Sequence, residues 1–202
     1  MRRILLLIIV LTLTFGSGFY LGGKKRPRAN AFHDMIVNHP QNLSALITPK
    51  DQRIKALAAE LKTPEEAYRF VRDRIGNDPS LPAPPAGETL TAGQASCLGK
   101  AVLLCSLYRA LGMPAREVRV VTGEVEFPDG IIDHAWLEME HDGKCLQQDA
   151  TNLLGLFMFE QFPGRNYTQT FVRREGYAFN DKGFAVVSRL NQLQGRGHPI
   201  VR

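Results

Sequence analysis

Apolar residues recur at helical spacing in two neighbouring segments of the chain. Residues 50–61 carry them on one face of a helix, which predicts a helix there. The following TPEE run suits a helix start, with Thr63 as N-cap, Pro64 at the first helical position and Glu66 at the third. The pattern therefore predicts a second helix that runs to about Ile75.

The middle of the chain changes from a loop composition to a long apolar run. Residues 76–96 are rich in Pro, Gly and Ala without apolar periodicity, which predicts a long loop that forms one wall of a cleft. The apolar run starts at Cys97 and ends at Gly112 and Pro114, a usual helix stop. Cys97 is thus predicted in the first turn of a helix. There, free N–H groups and the helix dipole favour thiolate over thiol and can bind an oxyanion.

Alternating apolar and polar residues predict strands in the second half of the chain. Residues 116–127 form one such run, and a turn then leads towards His134. The segment from His134 to Thr151 is predicted to be a hairpin with a two-residue Asp142-Gly143 turn. A further hairpin is expected around residues 180–183, between two apolar runs.

The turn of the first hairpin fixes which residues lie opposite each other. Trp136 then faces Asp149, and His134 faces Thr151. His134 and Asp149 become diagonal neighbours on one face, with Cβ atoms about 7 Å apart, so the carboxylate can reach the ring. A bulge in either strand would break this register. The opposite face carries a mostly apolar set suited to burial: Ala135, Leu137, Met139, Leu146 and Ala150.

The motifs around these residues resemble those of a known family. The runs GQASCLGKAVLLCSLYRALGMP, HAWLEME and DAT, within residues 50–152, are similar to the core of the transglutaminase-like superfamily. The resemblance implies an α+β, papain-like fold in which a Cys at a helix N-terminus packs against an antiparallel sheet that carries His and Asp. It also implies a catalytic triad of Cys97, His134 and Asp149.

Two positions depart from the family pattern. Ala150 stands where Pro is usual, and Cys145 stands where members often carry Trp. Neither position belongs to the triad, so these departures concern the shape of the substrate site rather than the chemistry.

The resemblance implies a thiol enzyme that acts on carboxamide or peptide bonds of a protein or peptide through a Cys97 thioester, without a cofactor. Water or an amine would resolve the thioester, giving a peptidase or amidase, or an acyltransferase. Gln94 is a candidate oxyanion donor, although a role in solvating the loop is equally open. Trp136 either lines the substrate cleft or packs. The alternative is a non-catalytic, membrane-tethered binding or scaffold module in envelope or polysaccharide assembly.

Length and charge set the outer bounds. The 202 residues, 44% of them hydrophobic, suffice for one domain and an appendage. The net charge is +5, but six basic residues lie among the first 28, and the rest of the chain has a net charge of −1. The body of the chain therefore has no positive excess that would indicate nucleic-acid binding. These six residues are Arg2, Arg3, Lys24, Lys25, Arg26 and Arg28.

An uncharged stretch lies between those basic residues. It runs from Ile4 to Gly22, which at 1.5 Å per residue just spans a hydrocarbon core of about 30 Å. A cleavable signal peptide is the alternative, but no small-residue cleavage site follows, so we expect an uncleaved signal anchor. Basic residues on both sides leave the orientation open. We expect the following domain in a periplasm or similar space, since a short basic N-terminus before an apolar run commonly directs export. The expected organisation is an anchor (1–23), a connector (24–49) with a short helix near residues 31–37, the transglutaminase-like domain (50–194) and a flexible tail (195–202).

The three cysteines leave two arrangements open. A disulfide between Cys105 and Cys145 would spare Cys97, or all three thiols would be free. Cys97, Cys145, His134 and Asp149 are weak candidates for a zinc site, because the sequence contains no close-spaced ligand pair such as CxxC.

Overall fold

The computed structural model describes residues 40–155 and 157–187. The expected anchor, the helix near residues 31–37 and the tail from residue 195 lie outside these ranges. Within them, no helix is both long and apolar enough to cross a membrane.

The helices begin and end close to where the sequence pattern places them. Thr63 caps the second predicted helix by accepting a hydrogen bond from the Glu66 N–H at 3.2 Å. The helical elements are a 3-10 helix (Pro40–Leu46), α1 (Gln52–Leu61), α2 (Pro64–Arg74), α3 (Ala86–Ala92), α4 (Cys97–Ala110), a 3-10 turn (Ala115–Glu117) and α5 (Asn166–Phe171).

The strands form one large sheet and one short parallel pair. They are β1 (Gly76–Asn77), β2 (Gln94–Ala95), β3 (Val118–Phe127), β4 (Gly130–His141), β5 (Lys144–Gln148), β6 (Phe162–Pro163), β7 (Val172–Asn180) and β8 (Gly183–Val186). The large sheet has the order β6-β5-β4-β3-β7-β8, and its neighbouring strands are antiparallel. The α+β prediction is confirmed.

Both predicted hairpins form. His141 pairs with Lys144 across a turn in which Asp142 and Gly143 have φ values of 50° and 72°. Two positive φ values are what a type I′ turn requires. The second hairpin closes where Asn180 pairs with Gly183.

The two faces of the sheet are covered by different layers. One face packs against the helices, and it carries the five residues predicted for the apolar face of the hairpin, all buried in the main core. The other face packs against a second, aromatic-rich cluster, which includes Phe127, Trp136, Phe157, Phe162 and Tyr167. The segment from residue 157 to residue 171 supplies much of this second layer.

The prediction of one long loop over residues 76–96 is wrong in part. The segment contains α3, and β1 pairs with β2 through hydrogen bonds such as Asp78 N–H to the Ala95 carbonyl at 2.9 Å. The buried residues of α3 are small ones, Ala86, Gly87 and Thr89. A seven-residue helix that buries small residues shows no apolar stripe, so its periodicity is not visible in the sequence.

The packed unit starts upstream of residue 50, within the segment that the sequence pattern assigns to the connector. Leu43 and Ile47 are buried in the main core, and the Thr48 N–H donates to Ser106 Oγ on α4 at 3.1 Å. The segment between Pro40 and Pro49 is too short for its apolar residues to show a period, which explains the difference in this boundary.

Candidate active site

Cys97 is the first residue of α4 and is partly exposed. Ser96 caps the helix, since its hydroxyl accepts from the Gly99 N–H at 3.5 Å. The pairing of β2 with β1 holds the preceding residues, and α4 packs tightly against them. A Cβ placed on Gly99 would lie 2.8 Å from the Ala95 Cβ, so this close approach requires glycine. The thiol is thereby fixed at the positive end of a buried helix.

His134 and Asp149 form the hydrogen bond that the hairpin register predicts. His134 Nε2 lies 2.9 Å from Asp149 Oδ2, and both side chains are fully buried. β5 ends at Gln148, and Asp149 is the next residue after the strand. Its side chain nevertheless reaches His134 on β4. The two-residue turn and the side-chain alternation are therefore sufficient to bring this pair together.

The Asp149 carboxylate accepts three further hydrogen bonds. Its Oδ1 accepts from the Thr151 N–H at 2.9 Å and from the Thr151 hydroxyl. Its Oδ2 accepts from the Tyr167 hydroxyl at 3.0 Å, beside the contact with His134. Burial raises the pKa of Asp149, but the His134 charge and the hydrogen bonds with His134 and Thr151 outweigh it and hold the pKa below its usual value. The carboxylate is therefore ionised and fully satisfied.

The main chain at Asp149 is held from the helical side. The Tyr68 hydroxyl on α2 donates to the carbonyls of Asp149 and Phe157, at 3.1 Å each. Arg72, one turn later on α2, donates to the same Phe157 carbonyl at 2.7 Å. These contacts connect the start of the second layer to α2.

The second ring nitrogen of His134 is available for the thiol. Nδ1 is buried and makes no hydrogen bond of normal geometry with any described residue. Burial lowers the pKa of His134, but the negative charges of Asp149 and then of an ionised Cys97 act in the opposite direction. Together they raise the pKa of His134 well above its ordinary 6.5. The ring is thus poised to keep a proton at neutral pH beside Cys97.

The two other cysteines lie in settings that suppress thiolate formation. All three cysteines are free, so the expected alternative of a disulfide between Cys105 and Cys145 does not occur. Burial raises the pKa of the Cys105 thiol far above its usual range. Partial burial and then the Glu138 charge also raise the pKa of Cys145.

The sequence left two further side chains with open roles. Gln94 lies in β2, three residues before Cys97, and its side chain is exposed. Its role as an oxyanion donor stays a prediction. Trp136 is fully buried and its ring lies 5.6 Å from that of Tyr167. It packs in the second layer and does not line an open cleft, so the cleft interpretation of Trp136 is wrong.

Sequence reasoning did not find Tyr167 or Tyr68 as neighbours of Asp149. Tyr167 lies 18 residues downstream, beyond an irregular stretch that gives no register. Tyr68 faces the core from a helix 81 residues upstream. Contacts of this range depend on the packing of whole layers rather than on a local pattern.

The sequence of this chain matches one family model and no curated protein. The model, described as the transglutaminase-like superfamily, matches residues 48–148. Cys97 and His134 lie inside this range, and Asp149 follows directly after it. No curated protein matches the chain.

Several solved structures are similar to the chain. The EGTA-treated LapG of Legionella pneumophila has 15% identity and a TM-score of 0.47, with 73% of this chain and 85% of that chain covered. Its calcium-bound form has 14% identity and a TM-score of 0.47, with 78% and 90% covered. A proposed cysteine protease from Cytophaga hutchinsonii has 18% identity and a TM-score of 0.43, with 75% and 57% covered.

The match to the family model covers half of the chain and includes the helix with Cys97 and the strand with His134. The chain belongs to the transglutaminase-like superfamily.

Proposed function

We propose that this protein is a thiol enzyme that attacks a carboxamide or peptide bond with Cys97 and forms a thioester. One observation carries the proposal. A buried His134–Asp149 pair leaves the second ring nitrogen without a hydrogen bond of normal geometry among the described residues, beside a partly exposed Cys97 at a helix N-terminus. This is the arrangement of nucleophile, base and orienting acid that covalent acyl transfer uses.

In the first half of the reaction, the Cys97 thiolate attacks the carbonyl carbon and the carbonyl oxygen becomes an oxyanion. The Cys97 backbone N–H stabilises this oxyanion, with the Gln94 side-chain amide as second donor. As the C–N bond breaks, the His134 imidazolium transfers its proton to the leaving amine. The products are a thioester on Cys97 and neutral His134.

In the second half, a nucleophile attacks the thioester. Neutral His134 takes the proton of this nucleophile, and the Cys97 thiolate is released. Asp149 accepts the Nε2–H throughout, so the proton is exchanged at Nδ1 and the charge of the imidazolium is balanced.

The second nucleophile decides the reaction class. Water gives a peptidase or amidase, and a primary amine gives a protein-glutamine acyltransferase. Incubation with a protein substrate and a labelled primary amine separates the two. Label on the substrate indicates acyl transfer, whereas new chain ends or free ammonia without label indicate hydrolysis.

Selective alkylation tests the nucleophile. At about pH 6, we expect iodoacetamide to alkylate Cys97 about 100-fold faster than it alkylates the thiol of glutathione. The reason is that a thiolate paired with an imidazolium persists at a pH at which an ordinary thiol is protonated. Mass spectrometry of the native full-length protein measures the rate at each cysteine. Cys105 and Cys145 serve as internal controls.

Two results would remove Cys97 from this role. One is faster alkylation of Cys145 or Cys105 in the native protein. The other is a Cys97 rate at about pH 6 no greater than that of glutathione, which would favour the non-catalytic binding or scaffold module instead.

We also propose that the apolar segment Ile4–Gly22 tethers the domain to a membrane, with the domain outside the cytoplasm. The length of the uncharged segment and the basic residues on both sides support this. We expect a protease added to intact spheroplasts to digest the domain, and mass spectrometry to find residues 1–22 still attached. Protection of the domain would reverse the orientation, and a mature start after Gly22 would exclude the anchor.

A further inference from the structure

Tyr167 reaches the catalytic carboxylate from the second layer of the fold. Its hydroxyl donates to Asp149 Oδ2 at 3.0 Å, and the same oxygen lies 2.9 Å from His134 Nε2. Tyr167 is fully buried on α5, a helix that lies beyond the range of the family match. Asp149 is therefore contacted by a residue outside the matched core.

The Tyr167 ring is held in place by its aromatic neighbours. Its centroid lies 5.6 Å from that of Trp136, 5.3 Å from Phe162 and 5.2 Å from Phe171. Burial, and then the negative charge of Asp149, hold the pKa of the Tyr167 phenol well above its usual value. The hydroxyl is thus a neutral donor with a fixed position.

Two other buried tyrosines flank Asp149 but bind different groups. The Tyr68 hydroxyl binds the main-chain carbonyl of Asp149, and the Tyr108 hydroxyl binds Gln148 Oε1 at 2.7 Å. Within residues 40–155 and 157–187, Tyr167 is the tyrosine whose hydroxyl reaches the carboxylate. The three tyrosines are therefore equally buried, but their hydroxyls bind a main-chain carbonyl, a side-chain amide and a carboxylate respectively.

We propose that Tyr167 is a positioning residue, which fixes the Asp149 carboxylate in the orientation that lets Oδ2 accept a hydrogen bond from His134. Thr151 holds Oδ1 through two donors, and Tyr167 holds Oδ2, so rotation of the carboxylate about its Cβ–Cγ bond is blocked from both ends. This inference rests on the proposed function, because it concerns how Asp149 supports His134 and Cys97.

The titratable groups around the His134–Asp149 pair and Tyr167 come from several elements. His134 lies on β4 and Tyr167 on α5, while Cys97 and Lys100 approach from α4 and Tyr68 from α2. Removing the Tyr167 hydroxyl leaves these groups in place and takes one donor from the carboxylate. Asp149 then becomes easier to protonate and freer to rotate, and either change weakens its support of the imidazolium.

The test is Tyr167→Phe in the full-length protein, with Cys97 alkylation followed as a function of pH. We expect the alkylation rate of Cys97 to be about tenfold lower at about pH 6. The acid limb of the profile, where the rate falls with decreasing pH, should move to higher pH. The matched control is Tyr108→Phe, which removes an equally buried hydroxyl. It should lower the melting temperature by roughly 3 °C and leave the profile unchanged.

The outcomes separate this inference from the proposed function. If Cys97 of the unsubstituted protein is not reactive, the proposed function fails. If Cys97 is reactive and Tyr167→Phe only lowers the melting temperature, as Tyr108→Phe does, the positioning role is overturned.

A second variant keeps the test valid should Tyr167→Phe not fold. Replacing Tyr167 by 3-fluorotyrosine retains the ring and makes the hydroxyl a stronger donor. The acid limb should then move to lower pH, opposite to its shift in Tyr167→Phe. An acid limb that stays where it is in the unsubstituted protein would contradict the proposal.

Discussion

Replacing Asp149 by Asn is expected to lower turnover by about 1,000-fold or more while the protein stays folded. An amide at this position can hold the wrong ring tautomer of His134, and it offers no charge to the imidazolium. The present carboxylate accepts four hydrogen bonds in a fully buried site, so its charge acts on the ring with little screening. Alkylation of Cys97 at about pH 6 should fall to the rate of an unassisted thiol.

The measurements that check this are the melting temperature and the pH profile of Cys97 alkylation. Asp181→Asn is a matched control, because Asp181 is a mostly buried carboxylate in an ion pair with Arg109 at 2.6 Å, and it belongs to the β7–β8 turn. It should affect stability alone. A normal alkylation profile beside a lowered melting temperature in Asp149→Asn would take Asp149 out of the triad and leave at most a Cys97–His134 pair.

Replacing Trp136 by Ala is expected to destabilise the fold by about 3–5 kcal/mol. The Trp136 side chain is fully buried in the second layer, against Tyr167, and its loss leaves a large cavity. Urea unfolding of the full-length protein measures the change. Trp136→Phe is the control and should cost much less, because it keeps an aromatic ring and the indole N–H has no hydrogen-bond partner among the described residues.

Trp136→Ala also separates the two roles that the sequence leaves open. A packing residue changes the free energy of unfolding. A residue that lines the substrate cleft changes KM with nearly unchanged stability, and that result would contradict the buried position of Trp136.

The parts of the site that could be predicted are those set by local rules. The Asp142-Gly143 turn and the alternation of side chains fix the pairing of β4 with β5, and this pairing places Asp149 beside His134. The apolar run that starts at Cys97 and the helix-stopping residues Gly112 and Pro114 together predict α4, with Cys97 in its first turn. In each case the information lies within about 20 residues of sequence.

The parts that could not be predicted depend on contacts between distant segments. The helix α3 buries small residues whose pattern resembles that of a loop, and it packs against α4. Tyr167 meets Asp149 because the aromatic layer folds over the sheet. Leu43 joins the core although the segment between Pro40 and Pro49 is too short to show a period.

The aromatic layer over the second face has a consequence for the local dielectric around the proposed triad. His134 lies within the family match and Asp149 directly follows it. The pair is covered by Phe127 of the matched core, whose ring lies 5.6 Å from that of His134, and by aromatic side chains from residues 157–171. The strength of the ion pair depends on how well these side chains exclude water, since a charge interaction weakens as solvent enters. Two members of the superfamily with the same three catalytic residues can therefore differ in the reactivity of their thiol, according to what each chain places over this face of its sheet.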